Sequence, residues 1–186
     1  YLENIDHNLL LLINSWHSPF WDEIMWWISD SKFGIPFYVL FLVLGIRFYG
    51  WKKGVLIIVL GAFAVGLADL SAKYLFKEVF ERYRPSHHIE LSTQLHFVNN
   101  YKGGMYGFVS SHAANMFAIA TSLGLFFKAK NKFLIYWLLV WASLIAYSRM
   151  YLGVHYPSDV FVGGLLGSLI GFLVYTLTNK KVMQWG

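Results

Sequence analysis

The sequence predicts an all-α, polytopic transmembrane helical bundle of five to six spans, preceded by N-terminal interfacial helices. Three observations carry this expectation. The chain is 57% hydrophobic, 19% aromatic and only 13% charged, whereas soluble domains run near a quarter charged. Its apolar residues gather in long runs, and its basic residues fall in short clusters between them. Its 186 residues suit one domain. That domain divides into a first helical or interfacial region over 1–32, a core bundle over 33–178 and an outer lid loop over 85–109. The formal charge of +5 raises nucleic acid as a partner, but no dense basic run with interleaved aromatics stands free of the apolar segments. Lipid, and no nucleic acid, is the expected partner. The absence of cysteine excludes disulfides and thiolate metal sites.

The elements follow in order. Asn8 to Asn14 is a short apolar run, and Ser18-Pro19 reads as the start of a helix reaching Ile28. Asp22 and Glu23 fall in its first turn, where carboxylates suit the helix dipole. Trp16, Trp21, Trp26 and Trp27 favour the headgroup zone. This region reads as one or two interfacial helices, with a sixth crossing as the alternative. A crossing takes about twenty apolar residues. Phe33 to Tyr49, Gly54 to Phe76, Ser110 to Phe127, Phe133 to Tyr147 (extensible towards Tyr151) and Val160 to Leu177 are the five expected spans. Gly163, Gly167 and Gly171 repeat every four residues on the last, a pattern that reads as close helix packing.

Topology follows from the loops. Arg47, Lys52 and Lys53 form one basic connection, Lys128, Lys130 and Lys132 a second, and Lys180 with Lys181 a third. Five alternating spans put all three on one side, which the positive-inside rule makes cytoplasmic. The opposite side receives the stretches 77–109 and 149–158. The connection from Pro85 to Val109 lacks periodicity, and loops this long usually function or move. It reads as a lid over a site at the membrane surface.

Three clusters with chemical potential emerge on that opposite side. Lys77 and Arg84 share a helix face if the helix continues that far, with Pro85 ending it. Arg84 offers a planar fork to an anion. Asp69 and Lys73 are spaced to pair with each other. Taken alone, this cluster is as compatible with side chains snorkelling at a membrane edge as with a ligand site. Ser110-Ser111-His112 opens a helix, where a serine cap and free backbone N–H groups suit an anion and His112 is placed to donate a proton. Alone it reads more readily as a plain cap followed by a histidine bonded within the bundle; Asn115, one turn on, orients His112 or simply packs. His155 precedes a helix begun at Pro157, and Asp159 in its first turn faces back. A carboxylate on one ring nitrogen leaves the other with a free lone pair, a nucleophile towards phosphorus. The alternative is that Asp159 serves only as a cap. Arg149 argues against that, because a cation beside the pair stabilises transferring oxygens.

Jointly these positions spell a pattern. KEVFERYRP from Lys77 to Pro85 fits K-x-x-x-x-x-x-R-P in full, and SRMYLGVHYPSD from Ser148 to Asp159 fits S-R-x-x-x-x-x-H-x-x-x-D in full. VSSH from Val109 to His112 fits P-S-G-H with Val for Pro and Ser for Gly. The chain therefore resembles the type 2 phosphatidic acid phosphatase family of integral-membrane lipid phosphatases, over roughly Asp69 to Asp159. The resemblance implies that His155 attacks phosphorus to form a phosphohistidine supported by Asp159. It implies that His112 protonates the leaving oxygen and then activates water. Lys77, Arg84, Ser110, Ser111 and Arg149 would hold the phosphate oxygens. It implies no metal and no other cofactor, since positioned cations can supply the electrostatics that Mg²⁺ supplies elsewhere. His87, His88 and His96 lack the carboxylate company and regular spacing of a metal site.

The expected activity is hydrolysis of a lipid phosphate or diphosphate at the outer face of a bacterial cytoplasmic membrane. Undecaprenyl diphosphate, phosphatidylglycerol phosphate, phosphatidic acid and a phosphorylated lipid A all fit. The short chain leans towards undecaprenyl diphosphate or a broad lipid phosphatase. Two rivals stand beside it: a phosphotransferase with a non-water acceptor, and a non-catalytic lipid-binding or transport protein, for which Asp69 within a span is suggestive.

Overall fold

The computed structural model describes residues 2–185, whose regular structure is helical, with an isolated bridge between Tyr83 and Tyr106. Helix α1 covers Leu2–Asn14 and α2 covers Pro19–Ser29. At 13 and 11 residues both are shorter than a bilayer crossing needs. The Ser18 side chain caps α2 by accepting from the Trp21 N–H, with Pro19 in the first turn as expected.

Helix α3 (Ile35–Ser71) is two antiparallel arms folded at Gly50, whose φ of 78° lies in the region that glycine reaches without strain. The expected basic connection is thus compressed into one residue. Phe41 lies beside Ile58, Ala62 and Val65 across the fold. A Cβ added to Gly54 would lie 2.5 Å from the backbone of Gly45, so only glycines let the arms touch here. The second arm runs on through a π-helical turn (Ala72–Lys77) and a last turn (Glu78–Phe80). Helices α4 (Ser111–Phe127), α5 (Leu134–Tyr151) and α6 (Pro157–Gln184) complete the bundle. Residues 32–80, α5 and α6 are long and apolar enough to cross a membrane.

Helix α4 is the central post, with buried residues around much of its circumference. Its neighbour α6 approaches along the glycine stripe. A Cβ on Gly171 would lie 2.5 Å from the Ala118 carbonyl oxygen, and one on Gly163 would lie 2.7 Å from that of Ser110. The packing expected of Gly163, Gly167 and Gly171 is what the fold contains, and it also presses α6 against the serine cap of α4.

All three basic connections gather at one end. The Tyr49 hydroxyl donates to the Phe126 carbonyl, Lys130 lies over the Tyr49 ring, and Lys53 donates to the Met183 carbonyl. The opposite end carries the loop over 81–110 and the turn over 152–156. There α1 and α2 act as buttresses. The Asn14 amide donates to the carbonyls of His96 (2.9 Å) and Tyr151 (2.7 Å) and accepts from the His96 N–H (2.8 Å). Asp22 accepts from the Tyr151 hydroxyl and meets the His96 ring, each at 2.7 Å.

Candidate active site

The π-helical turn changes the register of the last part of α3, and Lys77 at its end donates to the Ser111 hydroxyl at 2.7 Å. The helix does not continue to Arg84. It stops at Phe80, where Glu81 takes a left-handed φ of 45°. This corrects the shared-face expectation: Lys77 and Arg84 converge through a chain reversal. Beyond the stop the backbone pairs with the far side of the loop, Arg84 N–H to the Met105 carbonyl and Gly107 N–H to the Arg82 carbonyl. The buried Arg84 side chain donates to the carbonyls of Tyr106 (3.2 Å) and Val154 (3.4 Å). Gly103 and Gly107 leave room for it, since a Cβ on either would meet the Arg84 side chain at 2.7 or 3.0 Å.

Ser110 caps α4 through the Ala113 N–H, and its own N–H donates to the Asp159 carbonyl at 3.0 Å. The cap forms without the Pro and Gly of the family pattern. His112 in the first turn lines a cavity of about 160 Å³ with Arg149, Tyr101, Ser29 and Trp26. Buried Arg149 donates to the Ser29 hydroxyl and, at 3.3 Å, to the Tyr101 hydroxyl. Its Nε has no partner among the described residues.

His155 is 1% exposed and Asp159 0%. Asp159 Oδ2 lies 3.4 Å from His155 Nδ1 and accepts from the Tyr156 N–H at 3.0 Å, so the carboxylate both faces the imidazole and caps α6. Burial, followed by the charges of Arg84, Arg149 and Lys77 and by His112, pushes the His155 pKa well below the ordinary histidine value. The imidazole is therefore neutral at physiological pH. Burial and the neighbouring Arg149 pull Arg84 down to about 10, which leaves it charged.

Lys77, Arg84 and Arg149 are close enough to repel one another, yet none makes an ion pair among the described residues. Their partners are hydroxyls and carbonyls. Two buried guanidiniums and a half-buried ammonium, gathered without a carboxylate partner among the described residues, can hold an anion.

Several expected pairings are replaced. Asp69 accepts from the Asn115 amide at 3.2 Å, and Lys73 lies 3.9 Å from Glu78. Asp69 and Lys73 thus do not pair, and Asn115 does not orient His112. His87, His88 and His96 do not assemble. His96 meets Asp22, His88 packs edge-on against His7, and His87 meets the Ser86 hydroxyl. The group with metal-ligand spacing among the described residues is Glu3, His7 and His88.

Sequence reasoning missed Arg82, Asp6, Ser29 and Tyr101. Arg82 donates to Asp159 Oδ1 at 2.9 Å and to Asp6 Oδ2 at 2.7 Å. The alternation Arg82-Tyr83-Arg84 would have flagged two inward residues about an outward one, had the helix been ended at Phe80. Nothing local marks Asp6, Ser29 or Tyr101.

A family profile described as the PAP2 superfamily matches residues 54–183. The chain is 33% identical over 181 residues to a lipid A 4'-phosphatase of Bacteroides thetaiotaomicron, covering 97% of this chain and 80% of that protein. It is 30% identical over 187 residues to a lipid A 4'-phosphatase of Porphyromonas gingivalis, covering 100% of this chain and 78% of that one. The fold matches the crystal structure of a transmembrane PAP2 type phosphatidylglycerolphosphate phosphatase from Bacillus subtilis. The TM-score is 0.74 at 25% identity, over 100% of this chain and 89% of that one. Aquifex aeolicus LpxE shares the fold, with a TM-score of 0.64 at 23% identity over 91% of this chain and 93% of that one. With its helices, its clustered cations and these relatives on one chain, the protein belongs to the PAP2 superfamily, as an integral-membrane lipid phosphatase.

Proposed function

We propose that this chain hydrolyses a lipid phosphate at the outer face of a bacterial cytoplasmic membrane through a phosphohistidine. The observation that carries the reading is a set of three cations without carboxylate partners among the described residues, buried Arg84 and Arg149 and half-buried Lys77, beside a neutral His155 backed by Asp159. The cations, with Ser110, Ser111 and nearby backbone N–H groups, take the phosphate oxygens and balance their charge. His155 Nε2 attacks phosphorus while Nδ1–H faces Asp159 Oδ2. The bond from phosphorus to the lipid oxygen breaks, and that oxygen takes a proton from His112. Water, deprotonated by His112, then attacks the phosphohistidine and releases inorganic phosphate.

The outer-face assignment rests on the basic connections at the opposite end. Helices α1 and α2 lie at the outer interface, and the loop over 85–109 covers the site. Two relatives that match nearly all of this chain carry the name lipid A 4'-phosphatase. They favour a phosphorylated lipid A over undecaprenyl diphosphate, towards which the sequence leaned.

Purified protein is given phosphorylated lipid A, phosphatidylglycerol phosphate, phosphatidic acid and undecaprenyl diphosphate in turn. Phosphate release should be fastest with the first and should persist in excess chelator. A strict requirement for Mg²⁺ would refute catalysis by the cations alone. His155→Ala should insert and fold yet release no phosphate; turnover by that variant would remove His155 as the nucleophile.

A further inference from the structure

A fourth cation stands at this site and is treated differently from the other three. Arg82 is doubly paired: its NH1 donates to Asp159 Oδ1 (2.9 Å) and to the Ser158 hydroxyl (2.7 Å), and its NH2 to Asp6 Oδ2 (2.7 Å). The guanidinium lies 4.0 Å over the Tyr156 ring. Asp6 comes from α1 and is 7% exposed. Its Oδ1 accepts from the Ser158 N–H at 2.9 Å, and its Oδ2 also accepts from the Ser158 hydroxyl. A continuous chain of contacts therefore runs from α1 through Asp6, Arg82 and Asp159 to His155.

We infer that Asp6 and Arg82 are positioning residues for the nucleophile, and that α1 is thereby part of the catalytic unit. Asp159 has two oxygens and two tasks. Arg82 holds Oδ1, which fixes the rotation of the carboxylate and presents Oδ2 to His155 Nδ1. Arg82 also supplies the positive partner that a fully buried carboxylate needs. Asp6 has the complementary task. Arg82 lies two residues before Arg84, and an unpaired guanidinium there would turn towards the incoming phosphate. Asp6 claims NH2 and keeps Arg82 on the carboxylate side. The contrast is internal to the structure: among the described residues Lys77, Arg84 and Arg149 have no carboxylate partner and are left for substrate, whereas Arg82 has two and is not.

The inference rests on the phosphohistidine reading above, and its test separates the two. Arg82→Gln and Asp6→Asn are assayed by steady-state turnover and by rapid-quench trapping of phosphohistidine from a ³²P-labelled lipid phosphate. Each should lower kcat and the trapping rate by about 10- to 100-fold, by analogy with the loss of partners that orient metal-binding histidines, with KM moved less than about twofold. Arg82→Lys, which keeps the charge on Asp159, should recover part of the loss. In an Asp159→Asn background, Arg82→Gln should cost under about twofold, because residues acting through one another are not additive. Additive losses in that double-mutant cycle, or a rise in KM alone, would overturn the positioning role. If Arg82→Gln fails to fold, Asp6→Asn and Arg82→Lys carry the same cycle. An active His155→Ala defeats the underlying mechanism. An inactive His155→Ala with an additive cycle defeats the positioning role alone.

Discussion

His155 is held neutral by burial and by the cations around it, and this has a consequence for stability. In the unfolded chain a histidine titrates near 6.5, whereas in the fold it stays unprotonated well below that. Below about pH 6.5 the unfolded state binds the extra proton, so this group's contribution is fully present above that pH and is lost as pH falls. The loss approaches about 1.4 kcal/mol per pH unit until the folded pKa is reached. Melting of wild type and His155→Gln in detergent, compared between pH 7.5 and 5.5, should show the wild type losing more. Equal losses would mean that His155 titrates normally. Arg84 makes a second case. Its fork spans two carbonyls, Tyr106 and Val154, and also faces the anion site. Arg84→Lys keeps a charge but cannot make that fork. It should lower kcat/KM by about 10- to 100-fold, a loss of one to two charge-assisted hydrogen bonds, read from initial rates on the preferred lipid phosphate.

At the scale of elements, the contact between α4 and α6 decides both packing and chemistry. Gly163 faces the Ser110 carbonyl, and the Ser110 N–H holds the Asp159 carbonyl, so moving α6 outward moves Asp159 with it. Gly163→Ala should cost about 1–3 kcal/mol of stability and reduce turnover beyond what unfolding explains. Gly66→Ala is the control: its added Cβ meets nothing within 4 Å, and helix propensity favours alanine. Melting temperature and specific activity of the two variants check this pair. The loop over 81–110 is fastened to the buttress helices through Arg82–Asp6, His96–Asp22 and Asn14, the last of which satisfies both backbone groups of His96. Asn14→Ala leaves those groups and the Tyr151 carbonyl unpaired, at about 1–3 kcal/mol each where buried. Limited proteolysis should then cut between 85 and 110 faster than in wild type.

For the whole molecule, charge distribution and site position agree. The Lys53 and Lys130 contacts lie at one end, and Lys77, Arg84, His112, Arg149 and His155 at the other. Because these 186 residues contain no cysteine, an introduced one is the sole thiol among them. Ile89→Cys, at a highly exposed loop position, should react with an impermeant maleimide in intact cells. Lys52→Cys should react only after permeabilisation. The reverse pattern would turn the protein over in the membrane and carry the site to the cytoplasm.

The sequence by itself determined the lipid solvent, the apolar helices and the family motifs, because each is written locally. Apolar runs mark the helices, Ser110 and Pro157 mark helix starts, and the basic clusters sort the ends. Tertiary structure decided where α3 stops, which is why Arg84 reaches the site through a reversal at Glu81 and not along a helix face. It alone decided the partners of Asp69, Asn115 and the loop histidines, and it alone brought Asp6 to Arg82. The physical reason is the same in each case. A hydrogen bond between residues 76 positions apart depends on how helices stack, and no window of sequence carries that information.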